Sequence, residues 1–532
     1  MLALLLTASC AQNPVTGKSD FVMVSEEQEL RMGRAYDQQI KKESPLYDHR
    51  RGEDQGELAG GALRGSPPAS RAVAGTPAAG ANGAVSGAAA VTAPGLAAYV
   101  EALGQRLARH SHRSGIEYRF AVLDSPEVNA FALPGGYIYV TRGILAYLNS
   151  EAELAAVLGH EIGHVTARHS VRQMSAEQGA NLGLTIASIF VPGLRNQAAG
   201  NLTNIAAGAL LSGYGREHEL EADRLGAEYL ARTGYSPQAM ISVIGVLKNQ
   251  ETFDAQLARE ENRPPRAYHG LFASHPDNDT RLSEVIAEAA RAAATASTAG
   301  RDVTAVSRDG NRDAFLAHLD GAVFADNLAQ GVVRNNTFRH AELGLVMQFA
   351  PEWRVQNRPD RLRATAPGGE AVIDILLETP AKGATPQDTL RRKVTLDGEA
   401  DTAPVNGHPA AIANVRGANV RAGVVFASSA ASSGAAVKAF VLVAQAKTSE
   451  QLARNNAVIN TTFKSMRAFA DADRAAAEPL RMRIISATAA TRYADLAKHS
   501  PLGRTAEAQL RLMNAQFPAG EPLAGQKLKV IE

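Results

Sequence analysis

Apolar and polar residues recur along the chain with two different periods, which separate helical from strand-forming segments. Apolar residues recur every three or four positions over most of 142–295 and in 21–45, which predicts amphipathic helices. Short runs at 117–123 and 137–141 are rich in β-branched and aromatic residues and predict strands, with a Pro-Gly-Gly turn at 134–136 between them. A small sheet within a mainly helical region indicates an α+β domain.

Two stretches interrupt this pattern, and a different pattern follows. Residues 51–93 consist largely of Gly, Ala, Pro and Ser and lack the bulky apolar residues of a packed core, so we predict a disordered insertion. A polar, alanine-rich stretch at 290–312 is predicted to belong to a linker. Beyond it, strand-like runs alternate with one or two helices over 338–465, which predicts a separate α/β module before the last segment.

The composition excludes several classes of protein. Hydrophobic residues make up 45% and charged residues 20%, which is enough apolar material for packed cores. Lys and Arg number 55 against 54 Asp and Glu, so the net charge of +1 predicts no nucleic-acid partner. Aromatic residues are only 5%, which also argues against a surface for stacking bases.

The single cysteine, Cys10, lies in a sequence context typical of lipid attachment. An apolar stretch runs into the small residues Ala8 and Ser9 directly before it, as in a bacterial lipobox, although Thr7 stands where leucine is preferred. We therefore expect a lipid anchor at Cys10, which implies the periplasmic side of the outer membrane. The alternative is a short apolar tail with a cysteine of no special role.

The strongest chemical signal is the motif His160-Glu161-Ile162-Gly163-His164 within a helical pattern. Residues four apart face the same side of a helix, so both imidazoles can bind one Zn²⁺, and Glu161 can deprotonate the attacking water. Further along the chain, Glu219 and Asp223 are also four apart. One of them can complete the zinc ligands while the other hydrogen-bonds a ligating imidazole.

Other polar residues near these motifs have no predicted ligand role. Glu217 and Glu221 point to other faces of their helix and are expected to remain solvated, and His169 lies on another side of its helix from His164. His275, in a Ser-His-Pro-Asp sequence, leaves three alternatives. It could stabilise the oxyanion of a reaction intermediate, occupy the open metal position and keep the enzyme latent, or cap a helix.

These motifs, together with the sequence Val128 to Ile138 (VNAFALPGGYI), resemble the HtpX/Ste24-type gluzincin metallopeptidases (peptidase family M forty-eight), within which the chain is similar to the lipid-anchored periplasmic branch. The resemblance covers roughly 10–50 and 93–290, with a departure at Gly215, where the family often has serine. It implies that one Zn²⁺ is bound by His160, His164 and Glu219, that Glu161 is the general base, and that Asp223 orients His160.

The resemblance also implies how a substrate binds. Asn129, Ala130 and Phe131 would lie at the edge of a strand, where an extended substrate pairs through its backbone. Such an edge recognises unfolded polypeptide with little demand on side chains, which suits the removal of damaged envelope proteins. An asparagine beside a turn is just as often structural, so the role of Asn129 stays open.

The later segments carry weaker resemblances. A strand ending in a Pro-x-Trp corner is similar to PsbP-like α/β modules, and 481–532 is similar to a degenerate LysM-like βααβ unit. That unit could contact peptidoglycan, or it could be a structural or protein-docking tail, since the usual Gly-Asp-Thr entry is replaced by 489–492. The predicted division is a lipoprotein signal-peptide remnant (1–9), an anchor and helix (10–50), the insertion (51–93), a zinc metallopeptidase domain (94–295), a linker (296–335), an α/β accessory module (336–470) and the LysM-like unit (481–532).

The sequence thus predicts a zinc endopeptidase that degrades misfolded or misassembled envelope polypeptides at the periplasmic face of the outer membrane. One alternative is a chaperone or assembly scaffold for outer-membrane proteins, with a latent site and a structural zinc. Another is a hydrolase of peptidoglycan, for which the sequence offers no pair of carboxylates placed for glycosidic chemistry.

Overall fold

The fold is taken from a computed structural model, which describes most of 10–49, 95–180, 215–261, part of a helical segment within 281–295, and most of 310–532. The predicted signal-peptide remnant (1–9), the insertion (51–93) and His275 lie outside the described residues. Within the described ranges, no helix is both long enough and apolar enough to cross a membrane.

The N-terminal part builds a small sheet between helices, as the sequence predicts. Its elements are β1 (Cys10–Gln12), β2 (Ser19–Phe21), α1 (Glu26–Glu43), α2 (Leu96–Ala108), β3 (Arg119–Leu123), β4 (Ala130–Leu133) and β5 (Tyr137–Thr141). The order β3-β5-β4 places β5 in the centre, parallel to β3 and antiparallel to β4. Gly135 and Gly136 both have positive φ, which glycine adopts without strain, so they can form the tight turn between β4 and β5.

The described residues that follow form the helices α3 (Arg142–Leu145), α4 (Glu151–Thr166), α5 (His169–Ala180), α6 (Arg216–Arg232) and α7 (Gln238–Glu260). Every residue of α4 is buried, and α4 packs most extensively against α6. Glycines allow the two backbones to approach closely: a Cβ on Gly226 would lie 3.0 Å from the backbone nitrogen of His160, and one on Gly163 would lie 3.0 Å from the carbonyl oxygen of Ala222. This close packing brings the two predicted motifs together.

Helix α1 covers the face of the sheet that points away from α4. A Cβ on Gly33 would lie 1.9 Å from the carbonyl oxygen of Pro134, so only glycine permits this approach to the β4–β5 turn. Buried Glu29 accepts hydrogen bonds from Arg113 (2.6 Å) and from Arg168 (2.8 Å) just beyond the end of α4. Helix α1 is therefore attached both to the sheet and to the C-terminal end of α4.

Residues 310–335, which fall in the predicted linker, contain regular structure: α8 (Arg312–Leu319), β6 (Val323–Phe324) and β7 (Val332–Arg334). Strand β7 opens the accessory module, which continues with β8 (Thr337–His340), β9 (Leu345–Gln348), β10 (Arg354–Asn357), β11 (Leu362–Thr365), β12 (Ala371–Glu378), α9 (Pro386–Lys393), β13 (Leu396–Asp401), β14 (Ala410–Val415), β15 (Val420–Ala427), β16 (Lys438–Ala446), α10 (Ser449–Lys464) and β17 (Arg467–Ala468). Its strands form a seven-stranded antiparallel sheet, β10-β11-β12-β16-β15-β14-β13, and a four-stranded one, β17-β9-β8-β7.

The chain then returns through α11 (Arg474–Ala477), β18 (Leu480–Ser486), α12 (Tyr493–Lys498), α13 (Ala506–Met513) and β19 (Lys527–Ile531). Strands β19, β18 and β6 form a three-stranded sheet. Met482, Met513 and Ile531 belong to the same hydrophobic core as α2 and α4. The accessory module is thus an insertion between β6 and β18, and the segment predicted as a separate C-terminal unit packs into the core that holds α4.

A buried lysine fixes this packing. Lys529 has no exposed surface, and its Nζ donates hydrogen bonds to the carbonyl oxygens of Ala146 (2.8 Å) and Leu148 (2.6 Å), just before α4. Burial lowers the pKa of Lys529 well below its ordinary value and raises that of nearby Glu153. Lys529 therefore supplies one hydrogen-bond donor to each of two carbonyl groups in the core.

We expect Lys529→Met to destabilise the whole peptidase core. The change leaves two buried carbonyl groups without this donor, and each such loss costs about 1–3 kcal/mol. Thermal unfolding should show a lower midpoint than in Lys527→Met, a matched control on the same strand whose side chain is 39% exposed. Equal midpoints for the two variants would contradict this interpretation of the contact.

Candidate metal centre

Helices α4 and α6 bring two imidazoles and one carboxylate to a single point. The Nε2 atoms of His160 and His164 lie 2.9 Å apart. Each lies 3.5 Å from a carboxylate oxygen of Glu219. Two ligand atoms of a tetrahedral zinc site, with bonds of about 2.0–2.1 Å, are expected about 3.3 Å apart. Among the described residues these three side chains form the one group suited to hold a metal ion.

The charges of the site also fit a divalent cation. Glu161, Glu219, Asp223 and Arg281 are all buried, so with neutral imidazoles the formal charge of the cluster is −2. A buried excess of negative charge is costly unless a cation neutralises it. Two imidazole nitrogens and one carboxylate oxygen are a ligand set typical of catalytic zinc.

The ring of His160 is held by a carboxylate. Its Nδ1 lies 2.8 Å from Oδ1 of Asp223, which places Asp223 where the sequence predicts an orienting residue. Burial disfavours the charged imidazole, but the hydrogen bonds that His160 donates to Asp223 and Glu219, together with the negative charge of Asp223, outweigh it and raise the pKa of His160. Burial likewise opposes ionisation of Asp223, and the neighbouring Arg281 and His160 more than compensate, so its pKa is lowered.

Arg281 completes this group of charges, and sequence reasoning missed it. Its guanidinium donates to both carboxylate oxygens of Asp223, at 2.8 Å and 2.7 Å, and its Nη1 lies 3.2 Å from Oε2 of Glu219. The excess of buried acidic groups in the two motifs indicates that a cation is needed, but it does not identify which of the many arginines supplies it.

His164 is held differently, through a second histidine. Its Nδ1 lies 2.8 Å from Nδ1 of His169, whose Nε2 lies 3.1 Å from Oε2 of Glu221. Arg172 donates to the same carboxylate oxygen at 2.8 Å. The expectation that Glu221 remains solvated is wrong, because its side chain is only 16% exposed where α5 and α6 meet.

Burial and pairing shift the pKa values of this second group in opposite directions. Burial lowers the pKa of His169 to about 4, so the ring is neutral near pH 7. Burial opposes the charge on Glu221, but hydrogen bonds from His169 and Arg172 prevail and lower its pKa to about 2. His218 stacks on His169 with ring centroids 4.4 Å apart.

The residues predicted to bind substrate lie at the edge of the small sheet. In the described part of the chain, β4 pairs with β5 alone, and it packs against α4. Thr141 donates its backbone N–H to the carbonyl oxygen of Asn129, and hydrogen-bonded pairs alternate in an antiparallel ladder. The backbone groups of Ala130 and Ala132 therefore point away from β5, and both residues are buried, with 0% and 5% of their surface exposed.

The side chains of this strand are used in packing. Phe131 stacks on Tyr139, with centroids 5.2 Å apart, on the face covered by α1. Ala130 and Ala132 lie in the core that includes α4. The Oδ1 of Asn129 is buried and has no hydrogen-bond partner among the described residues. The side chains of this strand thus stabilise the sheet, and its outer edge is covered at Ala130 and Ala132.

Comparison with known proteins agrees with this geometry. Residues 94–289 match the profile of peptidase family M48. This part of the chain is an M48 peptidase domain. The match confirms the resemblance of this domain to family M48 and its predicted enzyme class, a metalloendopeptidase; M48 enzymes are zinc-dependent.

Several curated relatives share the M48 domain. The chain is 34% identical over 198 residues to the "Beta-barrel assembly-enhancing protease" of Escherichia coli O157:H7, a stretch that covers 36% of this chain and 38% of that protein. It is 36% identical over 134 residues to the "Mitochondrial metalloendopeptidase OMA1" of Arabidopsis thaliana, covering 25% and 26%. It is 28% identical over 191 residues to the "Metalloprotease YcaL" of Escherichia coli K12, covering 36% and 67%. The chain thus spans well under half the length of the first two relatives.

We expect Asp223→Ala to weaken zinc binding by about 10–100-fold, the usual cost of losing a partner that orients a ligand. The change removes the acceptor beside Nδ1 of His160 and leaves the three ligand side chains in place. Competition with a zinc chelator measures the affinity, with Glu217→Ala, an exposed acidic residue of the same helix, as the control. An unchanged affinity in Asp223→Ala would show that Asp223 does not support the ligand.

Proposed function

We propose that this chain is a zinc-dependent endopeptidase that hydrolyses misfolded or misassembled envelope proteins at the periplasmic face of the bacterial outer membrane. The observation that carries the proposal is the buried cluster of His160, His164 and Glu219 with Glu161 on the same helix. Its location within an M48 domain supports the reaction class.

The ligands and the base have separate tasks. His160, His164 and Glu219 would hold the zinc, which when bound supplies Lewis-acid activation of water and of the scissile carbonyl group. Glu161 accepts the proton of the attacking water and then passes it to the nitrogen of the leaving amine. Asp223, fixed by Arg281, keeps the ring of His160 in its orientation.

The position of β4 at the edge of its sheet supports a preference for extended substrates. The backbone groups of Ala130 and Ala132, which point away from β5, would pair with a substrate strand once these buried residues are uncovered, and that strand would then lie near α4. Main-chain pairing is indifferent to most side chains, but it needs a segment with free N–H and C=O groups. A folded protein offers few such segments, whereas a misassembled one exposes many.

The proposed location draws on sequence and relatives. The small residues before Cys10 support a lipid anchor. The name of the Escherichia coli relative connects a similar M48 domain to the assembly of β-barrels, the architecture of outer-membrane proteins. Peptidoglycan contact through 481–532 is a further part of this proposal.

Glu161→Gln separates metal binding from catalysis. The substitution keeps the size of the side chain and removes the base, so we expect one zinc per chain in both proteins and a loss of cleavage of about 10²–10⁴-fold. Metal analysis and casein digestion of the two proteins, purified in parallel, test this. Cleavage that persists in Glu161→Gln at the wild-type rate would overturn the proposed role, and zinc with no cleavage in either protein would favour the scaffold alternative.

The substrate proposal predicts a dependence on folding state. An outer-membrane β-barrel protein kept unfolded in urea-diluted buffer should be cleaved, while the same protein folded in detergent micelles should resist, because its strands are already paired. Gel analysis of digestion time courses measures both rates, with trypsin as a reference for general accessibility. Equal cleavage of the two forms relative to trypsin would argue against recognition through the strand edge.

A further inference from the structure

The contacts behind His164 assign a role to a residue that is not a ligand. We propose that His169 is a positioning residue of the metal centre, which fixes the ring of His164 so that its Nε2 faces the metal. The proposal rests on the zinc site proposed above and deepens it.

The neutral ring of His164 carries its proton on Nδ1. Its Nε2 faces His160 and Glu219, at 2.9 Å and 3.5 Å, so Nε2 is the nitrogen that would bind the metal. A nitrogen that binds a metal carries no proton, and the proton of the neutral ring is therefore on Nδ1. A buried N–H needs an acceptor. Nδ1 of His169 lies 2.8 Å away and can provide it.

The contacts of His169 place its own proton on Nε2. Because its Nδ1 accepts from His164, its own proton is on Nε2, which lies 3.1 Å from Oε2 of Glu221. The carboxylate accepts this proton's hydrogen bond and is itself held by Arg172 at 2.8 Å. The opposite tautomer of His169 would turn an N–H toward the N–H of His164 and leave a lone pair facing the carboxylate. Only one arrangement satisfies both contacts.

The two ligand histidines are held in similar ways. His160 reaches a carboxylate directly, since its Nδ1 lies 2.8 Å from Asp223, and Arg281 holds that carboxylate with two hydrogen bonds. His164 reaches Glu221 and Arg172 through the interposed ring of His169. Each ligand histidine is thus connected to a carboxylate–guanidinium pair. The stacking of His218 on His169 restricts the interposed ring. Loss of the acceptor at His169 would remove the contact that holds Nδ1 of His164.

The test compares His169→Leu with His169→Asn in the full chain. Asparagine places an amide oxygen close to the position of Nδ1 and can still accept from His164, whereas leucine cannot. Zinc affinity is measured by chelator competition, and ligand geometry by the visible spectrum of the Co²⁺-loaded protein. We expect His169→Leu to bind zinc about 10–100-fold more weakly, with a changed Co²⁺ spectrum, and His169→Asn to lie closer to the wild type. Wild-type affinity in His169→Leu, or equal losses in both variants, would overturn the proposal.

A second pair of variants keeps the test informative if the buried His169 variants misfold. Glu221→Ala removes the acceptor of His169 at a partly exposed position, and Glu217→Ala removes an exposed carboxylate one turn earlier on α6. We expect weaker zinc binding in Glu221→Ala alone, and unchanged affinity there would overturn the proposal even if His169→Leu does not fold.

These measurements need no substrate. A wild-type protein that binds zinc and shows these differences but cleaves nothing would overturn the proposed function and leave the role of His169 standing. If the wild-type protein cleaves, but zinc affinity is unchanged in the His169 and Glu221 variants, the proposed function stands and the role of His169 is overturned.

Discussion

A helix that is buried along its whole length, yet carries ionisable side chains, sets the conditions for the rest of this structure. All 16 residues of α4 are buried, including His160, Glu161 and His164. Such groups are stable in a core only if each is matched by a hydrogen bond, an opposite charge or a metal. The elements around α4 are arranged to supply these partners, from different parts of the chain.

The partners divide along the helix. At its N-terminal end, Glu151 accepts hydrogen bonds from Tyr99, Arg106 and Asn311. In the middle, α6 supplies two acidic side chains, and Arg281 balances part of their charge. Beyond its C-terminal end, Arg168 adopts a positive φ and pairs with Glu29 of α1. The metal site is therefore one part of a continuous set of polar contacts that a single helix requires.

Sequence reasoning identified those parts of the site that follow a helical repeat. His160 and His164, and Glu219 and Asp223, are four apart, so each pair shares a helix face whatever the tertiary structure. The strands at 117–123 and 137–141 could be predicted for a similar local reason, whereas the local pattern did not predict β4, which lies between them. The contacts of His169, Glu221 and Arg281 depend instead on which helices are neighbours, and no local pattern reports that. Glu221 is predicted to be solvated because a helical pattern shows the direction of a side chain but not the neighbouring elements that cover it.

The position of the accessory module has a consequence for the order in which the protein is made. Lys529 and Ala146, which meet beside the start of α4, are separated by 383 residues in sequence. Because a chain emerges from the ribosome N-terminus first, the metal-binding helix is synthesised long before its last buried contacts. Most neighbouring strands in the sheets of the accessory module are consecutive in sequence, although β12 pairs with β16 and β17 with β9. These sheets lie within 332–468, so they can form in the meantime, since nearby segments meet faster than distant ones. A growing chain therefore holds all the predicted zinc ligands for much of its synthesis without the complete core that fixes them.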